Sequence, residues 1–221
     1  MSASAWGAAG APPDGDRTTS RNSSSSRRRS FGRVLILVRH GQTTANAQGL
    51  VSGRKDVPLT DLGRRQATAV AAALGPPARV IASPLSRARE TAEAFGLAVE
   101  TDERWIELDY GDLDGTPVSA GPSATWLSRP DASFVPPGGE PLVALGRRVR
   151  AACEELSPQA ADVDVVVVTH VSPIKAAVAW ALGVGDEVTW RLYVADAAVC
   201  RIGFGRWGPM LVAFNHHYPP D

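Results

Sequence analysis

The sequence is short of cysteine: Cys153 and Cys200 are the two among 221 residues. So few cannot build a disulfide framework, and both lie in apolar patterns, so reduced, buried thiols are expected. An excess of charge of either sign is also missing, because 23 Lys and Arg balance 23 Asp and Glu. Global electrostatics therefore gives no case for nucleic acid or a membrane surface, and neither partner is expected. Long hydrophobic runs are absent as well, and nothing approaches the roughly 20 apolar residues that span a bilayer. With 44% apolar and 21% charged residues, the composition is that of a soluble globular chain, long enough for one sizeable core.

Residues 1–30 hold few large apolar side chains. They hold Arg17, Arg21, Arg27, Arg28 and Arg29 against Asp14 and Asp16, among many Ser, Gly and Ala. Such a stretch buries too little surface to offset its ordering entropy, so a disordered tail is expected over 1–30 and one folded domain over 31–221. The tail has no apolar core of a secretory signal, and a cytoplasmic location is the expectation. Its Ser/Arg bias faintly suggests a transit peptide, and Arg27–Arg29 could meet an acidic partner; a solvated extension is the simpler reading.

What is present is an alternation of strands and helices. Val34–Val38 is a continuous aliphatic run, short enough for a strand buried on both faces, and it stops at Arg39-His40-Gly41. Leu62, Val70 and Leu74 give Thr60–Leu74 helical character, ended by Gly75-Pro76-Pro77. Arg79–Ala82 reads as a second strand, and Ser83-Pro84 predicts a helix start, with the helix running to about Phe95. The stretch 105–139 is irregular, which in a compact domain points to a functional loop. Leu142, Leu145, Val149, Ala152 and Leu156 form a helical stripe. Asp164–Thr169 is the strongest strand and ends at His170, after which Ser172-Pro173 predicts another helix. Trp190–Val194, Ala198–Gly203 and Met210–Phe214 read as closing strands. The order implies an α/β domain built as a three-layer sandwich, a mostly parallel central sheet flanked by helices.

His40 and His170 hold equivalent positions, each just past the end of a hydrophobic strand. In open α/β sheets ligands collect beyond the carboxyl ends of strands, where helix N-termini favour anions. Two neighbouring central strands would bring both imidazoles to one anionic pocket. Arg39 adjoins His40, and Arg87 lies near the start of the helix after the second strand. Guanidinium forks match phosphate oxygens in pairs, which a lysine cannot do. Each residue alone is unremarkable; their joint placement points to phosphate.

Arg39-His40-Gly41-Gln42-Thr43-Thr44-Ala45-Asn46 resembles the opening signature of the histidine phosphatases of the phosphoglycerate mutase-like superfamily. Further blocks follow in the family's order: Asp56–Gly63, Ser83–Ala92, Glu107–Gly115, Pro137–Glu140 and Val168–His170. The resemblance implies the phosphoglycerate mutase-like fold and a phosphohistidine mechanism. His40 would be the nucleophile. Arg39, Arg87 and His170 would surround the phosphoryl oxygens. Gly41, Asn46 and the Val171 amide would help bind the phosphate, and Glu107 would be the general acid, with a raised pKa. No metal or cofactor is implied, and the expected partner is a small phosphorylated metabolite.

Rival readings remain at this level. Asp109, Asp112 and Asp114 are alternative acids on the same loop. His216 and His217 with Asp221 could suggest a metal site, but they lack a third ligand at a recognised spacing, so a flexible tail is expected. His170-Val171-Ser172-Pro173-Ile174-Lys175 looks like the branch of small acid phosphatases related to α-ribazole phosphatases. The stretch from Glu107 to Gly139 is short and contains one basic residue, Arg129, whereas the family's mutases carry longer, basic insertions there. Hydrolysis is therefore favoured over mutase chemistry and over a silent phospholigand-binding domain. Trp105, Trp126 and Phe134 are candidates for an apolar mouth. No pattern specifies an oligomeric state.

Overall fold

The structure is a computed structural model that describes residues 34–118 and 132–220. The 1–30 tail, Trp126, Arg129 and Asp221 lie outside the described residues.

Strand β1 (Val34–Arg39) and β4 (Val165–Thr169) form the centre of a six-stranded sheet. On one side of this pair lie β2 (Arg79–Ala82) and then β3 (Val99–Thr101); on the other lie β5 (Val199–Gly205) and β6 (Gly208–His216). The order is β3-β2-β4-β1-β5-β6. β1 to β4 run parallel, whereas β5 and β6 pair antiparallel.

Alternation along the strands divides the core between two faces, because successive side chains point opposite ways. Leu35, Leu37, Val165 and Val167 pack against α4 (Leu142–Asp162) and α5 (Val171–Leu182). Ile36, Val38, Val166 and Val168 face α2 (Asp61–Leu74) and α3 (Ser86–Glu93), meeting Val70, Ala88 and Ala92. A one-turn helix, α1 (Thr44–Ala47), follows β1. The expected three-layer α/β sandwich is the observed one. Both cysteines are free and buried, as expected.

Local expectations fail at several points, each for a physical reason. α3 starts at Ser86, with Leu85 as its N-cap, and not at Ser83-Pro84; the Ser83 hydroxyl is taken by His170 Nε2 at 2.7 Å. α5 begins at Val171 with His170 in the cap position, so Ser172 lies inside its first turn. Trp190–Val194 is not a strand. Asp186–Arg191 forms a 3₁₀ helix, held where Arg150 grips the Asp186 carboxylate at 2.7 and 2.8 Å. His216 is the last residue of β6 and its ring meets Tyr218 at 4.7 Å, so this part of the C-terminus is not a flexible tail. β3 has no counterpart in the sequence reading, since three residues with Glu100 in the middle carry no hydrophobic pattern.

Candidate active site

The parallel register pairs Arg39 with Thr169, so the next residues on both strands, His40 and His170, emerge side by side. The His40 amide donates to the Thr169 carbonyl at 2.9 Å. Their rings meet edge to face with centroids 5.1 Å apart. Both are buried, at 3% and 0% exposure.

His40 Nδ1 lies 2.7 Å from the Gly41 carbonyl oxygen. A carbonyl can only accept, so Nδ1 carries the proton and Nε2 keeps its lone pair. Arg87 Nε–H donates to that lone pair at 3.3 Å. Burial, with the Arg87 and Arg39 charges adding to it, holds the His40 imidazole well below the usual histidine value. Gly41 sits where it does because a Cβ there would collide with the Gly63 backbone, and the reverse substitution at Gly63 would strike Gln42. This glycine pair lets the loop after β1 lie directly on α2.

Arg87 is fully buried. Its Nη1 donates to the Lys55 carbonyl at 3.0 Å and its Nη2 to the Gly53 carbonyl at 2.6 Å. Arg39 Nη1 donates to the Val194 carbonyl and Nη2 meets Asp196, both at 2.8 Å. Arg39 Nε and His170 Nδ1 are buried without a partner among the described residues. Burial of such groups is costly unless something accepts or donates there. Burial, with the Arg87 charge next in weight, also holds the His170 imidazole well below its usual value.

Glu107 is 3% exposed. Its carboxylate accepts from the Leu108 amide at 2.7 Å and from the Ser172 amide, in the first turn of α5, at 3.2 Å. The rival acids are occupied elsewhere or open to water. Asp114 accepts from the Gly53 and Lys55 amides, both at 2.9 Å, and Asp109 from Gly111 at 2.9 Å; Asp112 is exposed. Val171 adjoins this cluster as the first residue of α5. Asn46 has its side-chain oxygen committed to a capping box with Thr43, at 2.8 and 3.0 Å. Its side-chain nitrogen, Nδ2, has no such bond among the described residues.

Sequence reasoning missed the residues that set these groups in place. Thr91 accepts from the Gly41 amide at 3.1 Å while its hydroxyl donates to the Arg87 carbonyl one turn back in α3 at 2.7 Å, tying the loop after β1 to the helix that carries Arg87. Asp196 and Ser83 orient Arg39 and His170. Only Thr91 and Ser83 lie in a recognisable block. Trp105 lines no mouth: it is wholly buried in the core. Phe134 packs against Trp190 with ring centroids 5.4 Å apart.

The family model of the histidine phosphatase superfamily (branch 1) matches residues 35–217. The chain spans about half the length of the first curated relatives it matches. These mycobacterial proteins, among them a "bifunctional protein" of Mycobacterium tuberculosis, are 36% identical over 178 residues, covering 75% of this chain and 48% of theirs. A protein named "probable phosphoglycerate mutase" from Yersinia enterocolitica is 31% identical over 182 residues, 77% of this chain and 84% of its own. Among solved structures, a mycobacterial glucosyl-3-phosphoglycerate phosphatase complexed with VO3 superposes with a TM-score of 0.74 at 30% identity, covering 83% of this chain and 99% of that one. The α-ribazole phosphatase of Shigella flexneri gives 0.72 at 26% identity, covering 83% and 96%.

Proposed function

Because this chain belongs to the histidine phosphatase superfamily, we propose that it hydrolyses phosphate monoesters of small metabolites through a phosphohistidine on His40, without a metal. The observation that carries this reading is the His40 tautomer. The Gly41 carbonyl fixes the proton on Nδ1 and leaves the Nε2 lone pair facing the Arg87 guanidinium. A phosphate drawn to Arg87 is thereby presented to an unprotonated nucleophile.

In the first step Nε2 attacks phosphorus, the ester P–O bond breaks, and the leaving oxygen takes a proton from Glu107. In the second step water attacks the phosphohistidine, Glu107 takes the proton, and inorganic phosphate leaves with Nε2 restored. Arg39, Arg87 and His170 neutralise the charge that spreads over the phosphoryl oxygens. Val171 at the start of α5 adds an amide, and the free Asn46 amide adds a neutral donor.

The test is p-nitrophenyl phosphate turnover with a rapid acid-free quench. Wild type should give a transient phosphoenzyme, and His40→Ala should give neither phosphoenzyme nor turnover. Unchanged turnover in that variant would remove His40 as nucleophile. Incubation with 2- or 3-phosphoglycerate decides between hydrolysis and mutase chemistry: phosphate release should outrun isomer exchange. A cytoplasmic location remains part of this proposal.

A further inference from the structure

Arg148, in the second turn of α4, spends its whole guanidinium on one neighbourhood. Nη1 donates to the main-chain carbonyls of Arg104 and Ile106, each at 2.7 Å. Nη2 donates to the carbonyl of Glu107 at 3.2 Å and to Glu140 at 2.8 Å, and Nε donates to the other Glu140 oxygen at 2.8 Å. All the N–H groups of an arginine are thus used, and none is left for a ligand.

Arg54 closes the arrangement from the other side. Its Nε approaches the same Glu107 carbonyl at 3.4 Å, its Nη2 meets Glu140 at 3.1 Å, and its Nη1 lies 3.6 Å from Asp109. Glu140 is therefore the carboxylate between two guanidinium groups, and both guanidinium groups also hold the backbone of Glu107. The Glu140 amide is itself pinned to the Asp109 carbonyl at 2.9 Å. That approach needs glycine: Gly111 has φ +51, and a Cβ at Gly111 or Gly139 would collide with the facing backbone.

Charges this enclosed are a poor way to gain stability. The side chains of Arg148 and Glu140 are 18% and 14% exposed, and well-packed apolar residues often serve stability equally well. What the cluster does achieve is to fix the chain on either side of Glu107. The carboxylate is held in front by the Leu108 and Ser172 amides, and the main chain behind it is held by Arg148.

We infer that Arg148 and Glu140, assisted by Arg54, are positioning residues that hold the Glu107 backbone so that its carboxyl meets the leaving oxygen of the substrate. This rests on the reading of Glu107 as general acid. A misplacement of about 1 Å can cost on the order of 100-fold in rate, and the loss falls only on substrates that need the proton.

The experiment compares kcat/KM on glycerol 2-phosphate, whose alkoxide needs a proton, with p-nitrophenyl phosphate, whose phenolate needs little. Arg148→Met, Arg148→Lys and Glu140→Gln are measured beside Glu107→Gln. Each clamp variant should lose about 10- to 100-fold more on the alkyl than on the aryl substrate, copying the pattern of Glu107→Gln. Lysine should fail to rescue, because one ammonium cannot span three carbonyls and a carboxylate. Glu140→Gln keeps the shape and serves if Arg148→Met does not fold. Equal losses on both substrates, or full activity on both, would overturn the inference. A Glu107→Gln enzyme with no preference between the substrates would instead remove Glu107 as the acid, and the clamp's role with it.

Discussion

The Nε–H of Arg87 donates to Nε2 of His40 across 3.3 Å, and both side chains are buried. In the free protein the lone pair proposed to attack phosphorus is thus occupied by the cation proposed to receive the phosphate. The same guanidinium also binds the Gly53 and Lys55 carbonyls, so its position is fixed before substrate arrives.

Arg87→Lys should lower kcat/KM for p-nitrophenyl phosphate by about 10²- to 10³-fold, the scale of losing one preorganised charged donor. A lysine keeps the charge and loses the fork. Steady-state kinetics of the folded variant checks this, and a loss under threefold would contradict it.

The two site histidines make acid pH costly. Their folded pKa values lie below the usual 6.5. As pH falls through 6.5, the unfolded chain takes up protons that the folded chain refuses. Stability from these groups is full above 6.5 and is lost as pH drops toward their folded values. Urea unfolding from pH 7.5 to 5 should show that fall, and His170→Asn should flatten part of it. ¹⁵N NMR of the free protein should find His40 taking up its proton at a lower pH than an ordinary imidazole.

Gly41→Ala should destabilise the fold by about 1–3 kcal/mol, since the new methyl meets Gly63 backbone and not a flexible side chain. Thermal unfolding measures it. Activity should fall too, because the His40 tautomer depends on where the Gly41 carbonyl lies.

Lys175, on α5, has no hydrogen bond or ion pair among the described residues. Burial pushes its ammonium down to about 8 from 10.5, the Glu107 charge opposing and the Arg39 charge adding. Between those values the unfolded chain binds more protons, so stability rises with pH across that window. Below pH 8 the whole cost is present. Lys175→Met should therefore gain about 1–3 kcal/mol at pH 7, a gain that shrinks by pH 10.5. Denaturant titration at both pH values checks it, and a less stable variant at pH 7 would refute it.

The sheet and the end that carries the candidate site were readable because β1 and β4 are buried on both faces, and a run such as Val165–Val168 has few other uses. His40 and His170 came with them, as the residues just past those runs. The supports were not readable. Asp196 reaches Arg39 from a loop with no pattern of its own, and Arg148 lies on a helix where an arginine normally faces water. Ser83 and Ser172 misled because their hydroxyls, the groups that would cap a helix, are taken by tertiary partners, His170 for the first and the Tyr110 hydroxyl for the second. Local preference yields wherever a buried group requires an acceptor or a donor.

Arg39 faces Thr169 in a parallel ladder whose strands are separated by most of the chain. Side chains alternate along a strand, so a slip of one residue between β1 and β4 would turn one imidazole away from the other. The helices could still cover such a sheet. Turnover therefore works as a gauge of strand alignment. A refolding protein could regain its secondary structure and compactness early, yet phosphate release should return only with the fraction of molecules in which these two strands have found their register.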